Sequence, residues 1–368
     1  MTVSRVAVGR VRGASPAPWY NTQTGTYESQ KEFQMDIGHL FKSGILVQVH
    51  VRMWTGQRAL TPEDLGLDPN SVSNAFVLGR KYLIDEELIR VFRTLDGQAR
   101  RIVDENGFSF PIGNARFIPR TRIDTVVEQL EAIKAKFLAA ADELVVNYDK
   151  HRTDMIPVYR EAAVVAFNNQ EDSATEFSIE DREAKLAAFT ETFLARVATF
   201  YPSAATLKAK FDIEHTVFEI APPSDKTKYA SEKWKQSIAT QMDTFVHDTV
   251  TALRQEALTV VDRVHAALTG GKVHSKTLNS LSDFIAKFKD LNFVGDKTIE
   301  EQLEALRKEV LDVYPLDKVK DEPEIQEAII SRLVKIHEAA ENVADLGDVV
   351  DGYKRRVVWQ DEPDTKAA

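Results

Sequence analysis

Along the second half of the chain, apolar residues recur at helical spacing. Ile238, Met242, Phe245, Thr249, Leu253, Ala257, Val260, Val264 and Ala267 follow one another three or four residues apart, on one stripe of a helix. The spacing predicts a single helix from Ser224 to Gly270. Pro222 and Pro223 halt whatever precedes it, Ser224 can cap it, and Gly270-Gly271 can stop it. Such a helix reaches roughly 65–70 Å at 1.5 Å per residue. Thr121–Lys150 repeats the pattern with Ile123, Val127, Leu130, Ile133, Phe137, Ala141, Leu144 and Tyr148. Two such stripes predict a long antiparallel helical stalk. If the stripes face one another, truncating Phe245, Leu253, Leu130 or Phe137 to alanine should cost roughly 2–5 kcal/mol. Lys233 and Arg254 fall off the stripe by helical period, and changing them should cost within about 0.5 kcal/mol.

Elsewhere the period changes. Ile45, Val47, Val49 and Val51 alternate with Leu46, Gln48, His50 and Arg52, which predicts a half-buried strand ending at Thr55-Gly56. Thr61 caps a short helical turn with Pro62 in its first position. Helices are expected over Asp85–Val103, Pro157–Phe167 and Ile179–Phe200, then about Ser275–Leu291, Thr298–Val313 and Glu324–Ala344. Thr298 and Glu301 fit a capping box. Phe108–Pro119 reads as a hairpin or extended loop, and Lys210–Ile220 as a strand or extended crossover. The expected organisation is an arm over 1–34, a small α+β region over 35–120, the stalk with its connecting elements over 121–270, and C-terminal helices with a polar tail over 271–368. The fold class is therefore mainly α, with a small β element near the N-terminus.

The 368 residues, 43% hydrophobic and 28% charged, suit a helix-rich globular chain. A net charge of −10 argues against wholesale wrapping of nucleic acid. With no cysteine, disulfides, thiolate zinc sites and cysteine nucleophiles are excluded. No run of about 18 apolar residues predicts a membrane span, and the first residues lack the apolar block of a secretory signal. The expected location is the cytoplasm.

Candidate chemistry is sparse. The eight histidines are scattered, and His337-Glu338-Ala339-Ala340-Glu341 has Glu341 where a metalloprotease helix needs its second histidine. Asp262 and His265 share a helix face, whereas the adjacent His247 and Asp248 point apart. No nucleophile elbow or dinucleotide fingerprint appears, and Gly270-Gly271-Lys272 lacks the rest of a phosphate loop. No catalytic residue, cofactor or metal site is therefore assigned. One basic region carries a binding alternative: Arg90, Arg93, Arg100, Arg101, Arg116, Arg120 and Arg122, near Phe108, Phe110 and Phe117. Arginines with interleaved aromatics can hold single-stranded nucleic acid. Asp85, Glu86, Glu87, Asp96, Asp104 and Glu105 dilute the patch, and arginines solvating helix faces over core phenylalanines account for it better.

The segment Trp54-Thr55-Gly56-Gln57-Arg58-Ala59-Leu60-Thr61-Pro62-Glu63-Asp64-Leu65-Gly66, followed by Lys81-Tyr82-Leu83-Ile84, resembles a bacterial and phage family of unknown function. The resemblance covers roughly residues 44–165, with Trp54, Gly56, Pro62, Asp64 and Gly66 as its motif. Members are often encoded beside a MoxR-type AAA+ ATPase and a protein with a von Willebrand factor A domain. That neighbourhood implies a partner in an ATPase-driven assembly, virion-associated if phage-encoded, and supplies no catalytic residues. Without it, Trp54 covers a strand end and Gly56 allows a tight turn. The expected function is a non-enzymatic structural or adaptor protein that self-associates or binds a protein partner. Nucleic-acid binding through Arg90–Arg122 is the alternative.

Overall fold

In the computed structural model 72% of the described residues are helical, more than twice the globular average, so the mainly helical expectation holds. It describes residues 20–21, 26–27, 37–73, 75–170, 179–220, 232–270, 275–314, 318–319 and 322–359. Pro222, Pro223, Ser224, Gly271 and the polar tail from Asp361 lie outside that set, as does the side chain of Lys233. Among the described residues no helix is long and apolar enough to cross a membrane. The chain forms two units, Phe41–Glu219 and a second comprising 1–40 with 220–368. The cut at Glu219 falls inside the segment 121–270.

Within the expected arm, β1 (Tyr20–Asn21) and β2 (Thr26–Tyr27) pair antiparallel. Helix α1 (Ile37–Ser43) leads into β3 (Gly44–Arg52), the central strand of the first unit. Alternation along β3 buries Val47 and Val49 on one face, while Leu46 is buried on the other. β4 (Gln57–Ala59) and β5 (Arg80–Tyr82) form a separate two-stranded ribbon. Helix α2 (Glu86–Glu105) starts at Asp85, whose carboxylate accepts the Glu87 N–H. β6 (Phe108–Ser109) and β7 (Arg116–Pro119) make the expected hairpin, and α3 (Arg120–Val146) follows at once.

Helices α4 (Tyr148–Asp154), α5 (Ile156–Gln170), α6 (Ile179–Ala198) and α7 (Ala204–Lys208) precede β8 (Asp212–Phe218). The main sheet is antiparallel in the order β6-β7-β3-β8, with Val47 opposite Arg116 on one side and Val217 on the other. Phe92 and Phe137 from α2 and α3 meet Phe211 over this sheet, with ring centroids 4.5 Å (Phe92–Phe211) and 6.4 Å (Phe137–Phe211) apart. The stripe of α3 is thus covered by α2 and the sheet, and Leu130 and Phe137 are buried.

In the second unit, α8 (Glu232–Thr269) extends 38 residues. α9 (Ser275–Leu291), α10 (Lys297–Leu306), a π turn at Arg307–Leu311, α11 (Pro323–Glu341) and α12 (Val343–Trp359) follow. The buried arc of α8 takes in Met242, Phe245, Val246, Val250, Leu253, Ala257, Val261 and Val264, and α9, α11 and α12 pack on it. Each long stripe therefore finds its cover inside its own unit.

Three local expectations need correction. Arg254 is not off the buried surface: its side chain is 3% exposed and ion-paired with Asp296 and Asp345. The cap of α10 is Asp296, which accepts the Ile299 N–H, so Thr298 already lies inside the helix and the Thr298–Glu301 box does not start it. His247 and Asp248 do approach, to 3.8 Å, though both are exposed.

Candidate ligand-binding site

The motif residues gather where β3 leaves the sheet. Trp54 is half-buried and sets its ring edge-on to Tyr148, 5.9 Å between centroids. Gly56 turns the chain at φ +63, with Ile84 and Ile89 close to where a side chain would start, and its carbonyl accepts the Leu83 N–H at 2.7 Å. Thr61-Pro62-Glu63-Asp64-Leu65 then forms a short 3-10 turn, with Pro62 in the first position as expected.

Asp64 is the hub. One carboxylate oxygen accepts the Thr61 N–H at 2.9 Å, the Thr61 hydroxyl at 3.1 Å and Lys81 Nζ at 2.5 Å. The other accepts from Arg196 of α6 at 2.7 Å. Asp64 and Lys81 are both buried. Burial opposes the charged carboxylate, but the hydrogen bonds from Lys81 and the Thr61 backbone outweigh it. Helped by the charges of Lys81 and Arg196, they hold Asp64 below the ordinary carboxylate range. Lys81 Nζ also sits 4.3 Å from the centre of the Phe200 ring.

Gly66 closes the turn at φ +72, against the backbone of α5. A Cβ there would lie 1.9 Å from the Ala166 carbonyl oxygen. Asn169 donates to the Leu65 carbonyl beside it at 2.8 Å. Two tyrosines complete the fastening: Tyr159 donates to the Tyr82 carbonyl and Tyr201 to the Leu83 carbonyl, both at 2.5 Å. Burial pushes the Tyr201 hydroxyl up to about 12 and that of Tyr159 higher still, so both remain donors throughout the neutral range. Asp64 and Gly66, with Asn169, Tyr159 and Tyr201, thus fasten the 62–66 turn and the Tyr82–Leu83 stretch to α5, α6 and the turn after α6. Gly66→Ala should cost about 2–5 kcal/mol, from the left-handed backbone and the collision with Ala166. Gly79, with open space around it, should tolerate alanine within about 0.5 kcal/mol. Denaturant midpoints of the two variants compare these directly, and equal midpoints would contradict the close approach.

Beside this clasp lies an open cleft of about 810 Å³, bounded by the end of β3, the start of β4, the end of α6 and the turn before β8. Arg52, Arg58 and Lys210 line it together with Trp54, Phe200 and Tyr201, and among the described residues no carboxylate does. Arg52 is held by Asp212 at 2.6 Å. Tyr201 is backed by the Arg152 guanidinium, 5.0 Å from its ring centre.

The other basic region looks different. Arg90 pairs with Glu87, Arg93 with Glu86, Arg100 with Asp96 and Arg116 with Asp104, at 2.7–3.0 Å. Arg120 donates to the Phe41 and Lys42 carbonyls, and Arg122 to Asn106. Arg101 is exposed. Phe108, Phe110 and Phe117 are buried, Phe41 packing on the last two. Apart from Arg101, the region therefore presents guanidinium groups engaged by the protein, and its three rings are buried.

Among the described residues no three His, Asp or Glu side chains converge as a metal site. His337 lies 3.4 Å from Asp262 and 3.6 Å from Glu341, so Asp262 meets a histidine of α11 as well as sharing a face with His265. Sequence reasoning missed Arg196, Tyr159 and Tyr201. Arg196 reaches Asp64 across 132 positions, and no local pattern marks such a partner.

A family model described as a protein of unknown function, DUF3150, matches residues 41–336. The chain belongs to the DUF3150 family. The match begins with the first unit, contains the whole clasp and cleft, and runs on into α11. Comparison with curated proteins and with solved structures finds no match.

Proposed function

We propose that this DUF3150 chain is a non-enzymatic adaptor that docks a protein partner through the loop between β4 and β5. The observation that carries the reading is the adjacent pair Phe76 and Val77, 71% and 97% exposed. Large apolar side chains held out on a fixed scaffold act as anchors for a partner surface. The loop has such a scaffold: the Leu60 N–H donates to the Gly79 carbonyl at its base, and the Asp64 ion pairs pin the turn that follows. Asp64 is engaged by both Lys81 and Arg196, which favours a supporting role over acid–base work.

A MoxR-type AAA+ ATPase is the candidate partner, on the family resemblance carried by Trp54–Gly66. The stripes of α3 and α8 are covered within their own units, so the loop replaces a stalk as the docking element, for a partner or for a second copy. Nucleic-acid binding through Arg90–Arg122 ranks second, because six of its seven arginines are engaged by the protein and its rings are buried.

The double variant Phe76→Ser/Val77→Ser changes only exposed side chains and should alter the denaturant midpoint little, within about 0.5 kcal/mol for each substitution. Binding to the neighbouring ATPase, or self-association by light scattering, should weaken at least about tenfold, an expected cost of ~1.4 kcal/mol or more. Undiminished association by the double variant would remove the loop from the proposal. A wild-type chain that stays monomeric and recovers no partner would overturn the adaptor reading itself.

A further inference from the structure

We propose that the cleft beside Trp54 binds a nucleoside phosphate group, with the phosphate on Arg58 and Lys210 and the base against the aromatic wall. This site is separate from the Phe76–Val77 loop and from the Arg90–Arg122 region.

Charge comes first. The chain as a whole is acidic, with a net charge of −10, yet among the described residues the cleft is lined by three cations and no carboxylate. Arg52 is partly neutralised by Asp212, which also fixes its direction. Arg58 and Lys210 are exposed, and among the described residues neither has a carboxylate partner. Two uncompensated cations at one cleft attract an anion locally, against the net negative charge of the chain.

The rings come second. Trp54 is braced by Tyr148. Phe200 has Lys81 over one face, and Tyr201 is tied by its hydroxyl to Leu83 and backed by Arg152. Fixed aromatic side chains beside free cations are the combination that holds a base by stacking and its phosphate by charge. The cleft volume of about 810 Å³ falls within the range of small-ligand sites. An acidic peptide would use the cations and leave the rings idle.

The same chemistry is offered by a free nucleotide and by one unit of a single strand, and the test separates them. Fluorescence anisotropy of the full chain would be read with a fluorescent ADP analogue and with a labelled ten-residue oligodeoxynucleotide, each across a salt series. Arg58→Gln/Lys210→Gln should weaken binding at least tenfold. For the oligonucleotide it should also flatten the logarithmic salt slope by about 0.7, the share of one single-strand phosphate. Trp54→Leu should weaken binding while leaving the slope unchanged, with circular dichroism melts confirming that the variant is folded. Binding of the ADP analogue alone identifies a free nucleotide, and binding of the oligonucleotide alone identifies a strand. Absence of binding by both probes at 0.15 M salt would overturn the proposal. So would loss of binding in Arg101→Gln with retention in the double variant, or equal competition by polyglutamate.

Discussion

Arg254→Ala should destabilise the second unit by about 3–5 kcal/mol, the usual consequence of leaving a buried charge without its partner. Arg254 Nε donates to Asp296 at 2.7 Å, and its two terminal nitrogens reach Asp345 and the Asn342 carbonyl, each at 2.9 Å. One side chain thereby joins α8, the cap of α10 and the junction of α11 with α12. Burial works against its charge, but the hydrogen bond and charge of Asp296, then those of Asp345, more than offset that and raise its pKa. Alanine leaves the Asp296 carboxylate buried, still holding the Ile299 N–H but with no cation beside it. Removing both charges in Arg254→Met/Asp296→Asn should recover part of the loss, because the isolated carboxylate is the costly element. Urea midpoints of the single and double variants form the cycle that measures the coupling. A wild-type midpoint for Arg254→Ala would mean that the guanidinium faces water, as the helical period alone suggests.

Asp64→Ala should cost a similar amount in the first unit, about 3–5 kcal/mol, since it strands Lys81 in a buried position. This loss carries a pH signature. The folded-state pKa of Asp64 is depressed, so its contribution is complete above the unfolded value of roughly 3.9. It is lost as pH falls through the lower folded value. Asp64→Asn has no carboxyl to titrate at this position. The gap between its midpoint and that of the wild type should therefore be widest near neutrality and shrink below about pH 4. A gap that stays constant down to pH 2 would show that the Asp64 charge does not hold the clasp.

Helix locations were legible because their periodicity is strong. α2 begins one residue after Asp85, and β8 lies within Lys210–Ile220. What covers each stripe was not legible. Periodicity marks a face to be buried and is silent on the neighbour that buries it: among the described residues α9, α11 and α12 pack on α8, where one facing stripe was expected. A wide buried arc also admits Arg254, which a narrow stripe leaves in solvent. The clasp shows the same limit. Thr61, Pro62 and Asp64 form a recognisable local turn, and Gly66 ends it, but Arg196, Tyr159 and Tyr201 enter only through the fold. The cleft mixes residues 51–58 with 199–210, and neither stretch alone stands out as basic.

The register of β3 has a consequence for how the first unit is made. Its central strand pairs Arg52 with Asp212 and Leu46 with Phe218, so one long edge of β3 has no native neighbour until the chain has grown past β8. At typical synthesis speeds that wait lasts roughly 10–30 s. Throughout it, Leu46, Val47 and Val49 belong to a strand with an open edge, the feature most prone to pairing with another nascent chain. A fragment ended after α5 would carry that edge permanently. The boundary for expressing this unit alone is therefore set by β8, however self-contained the earlier helices look.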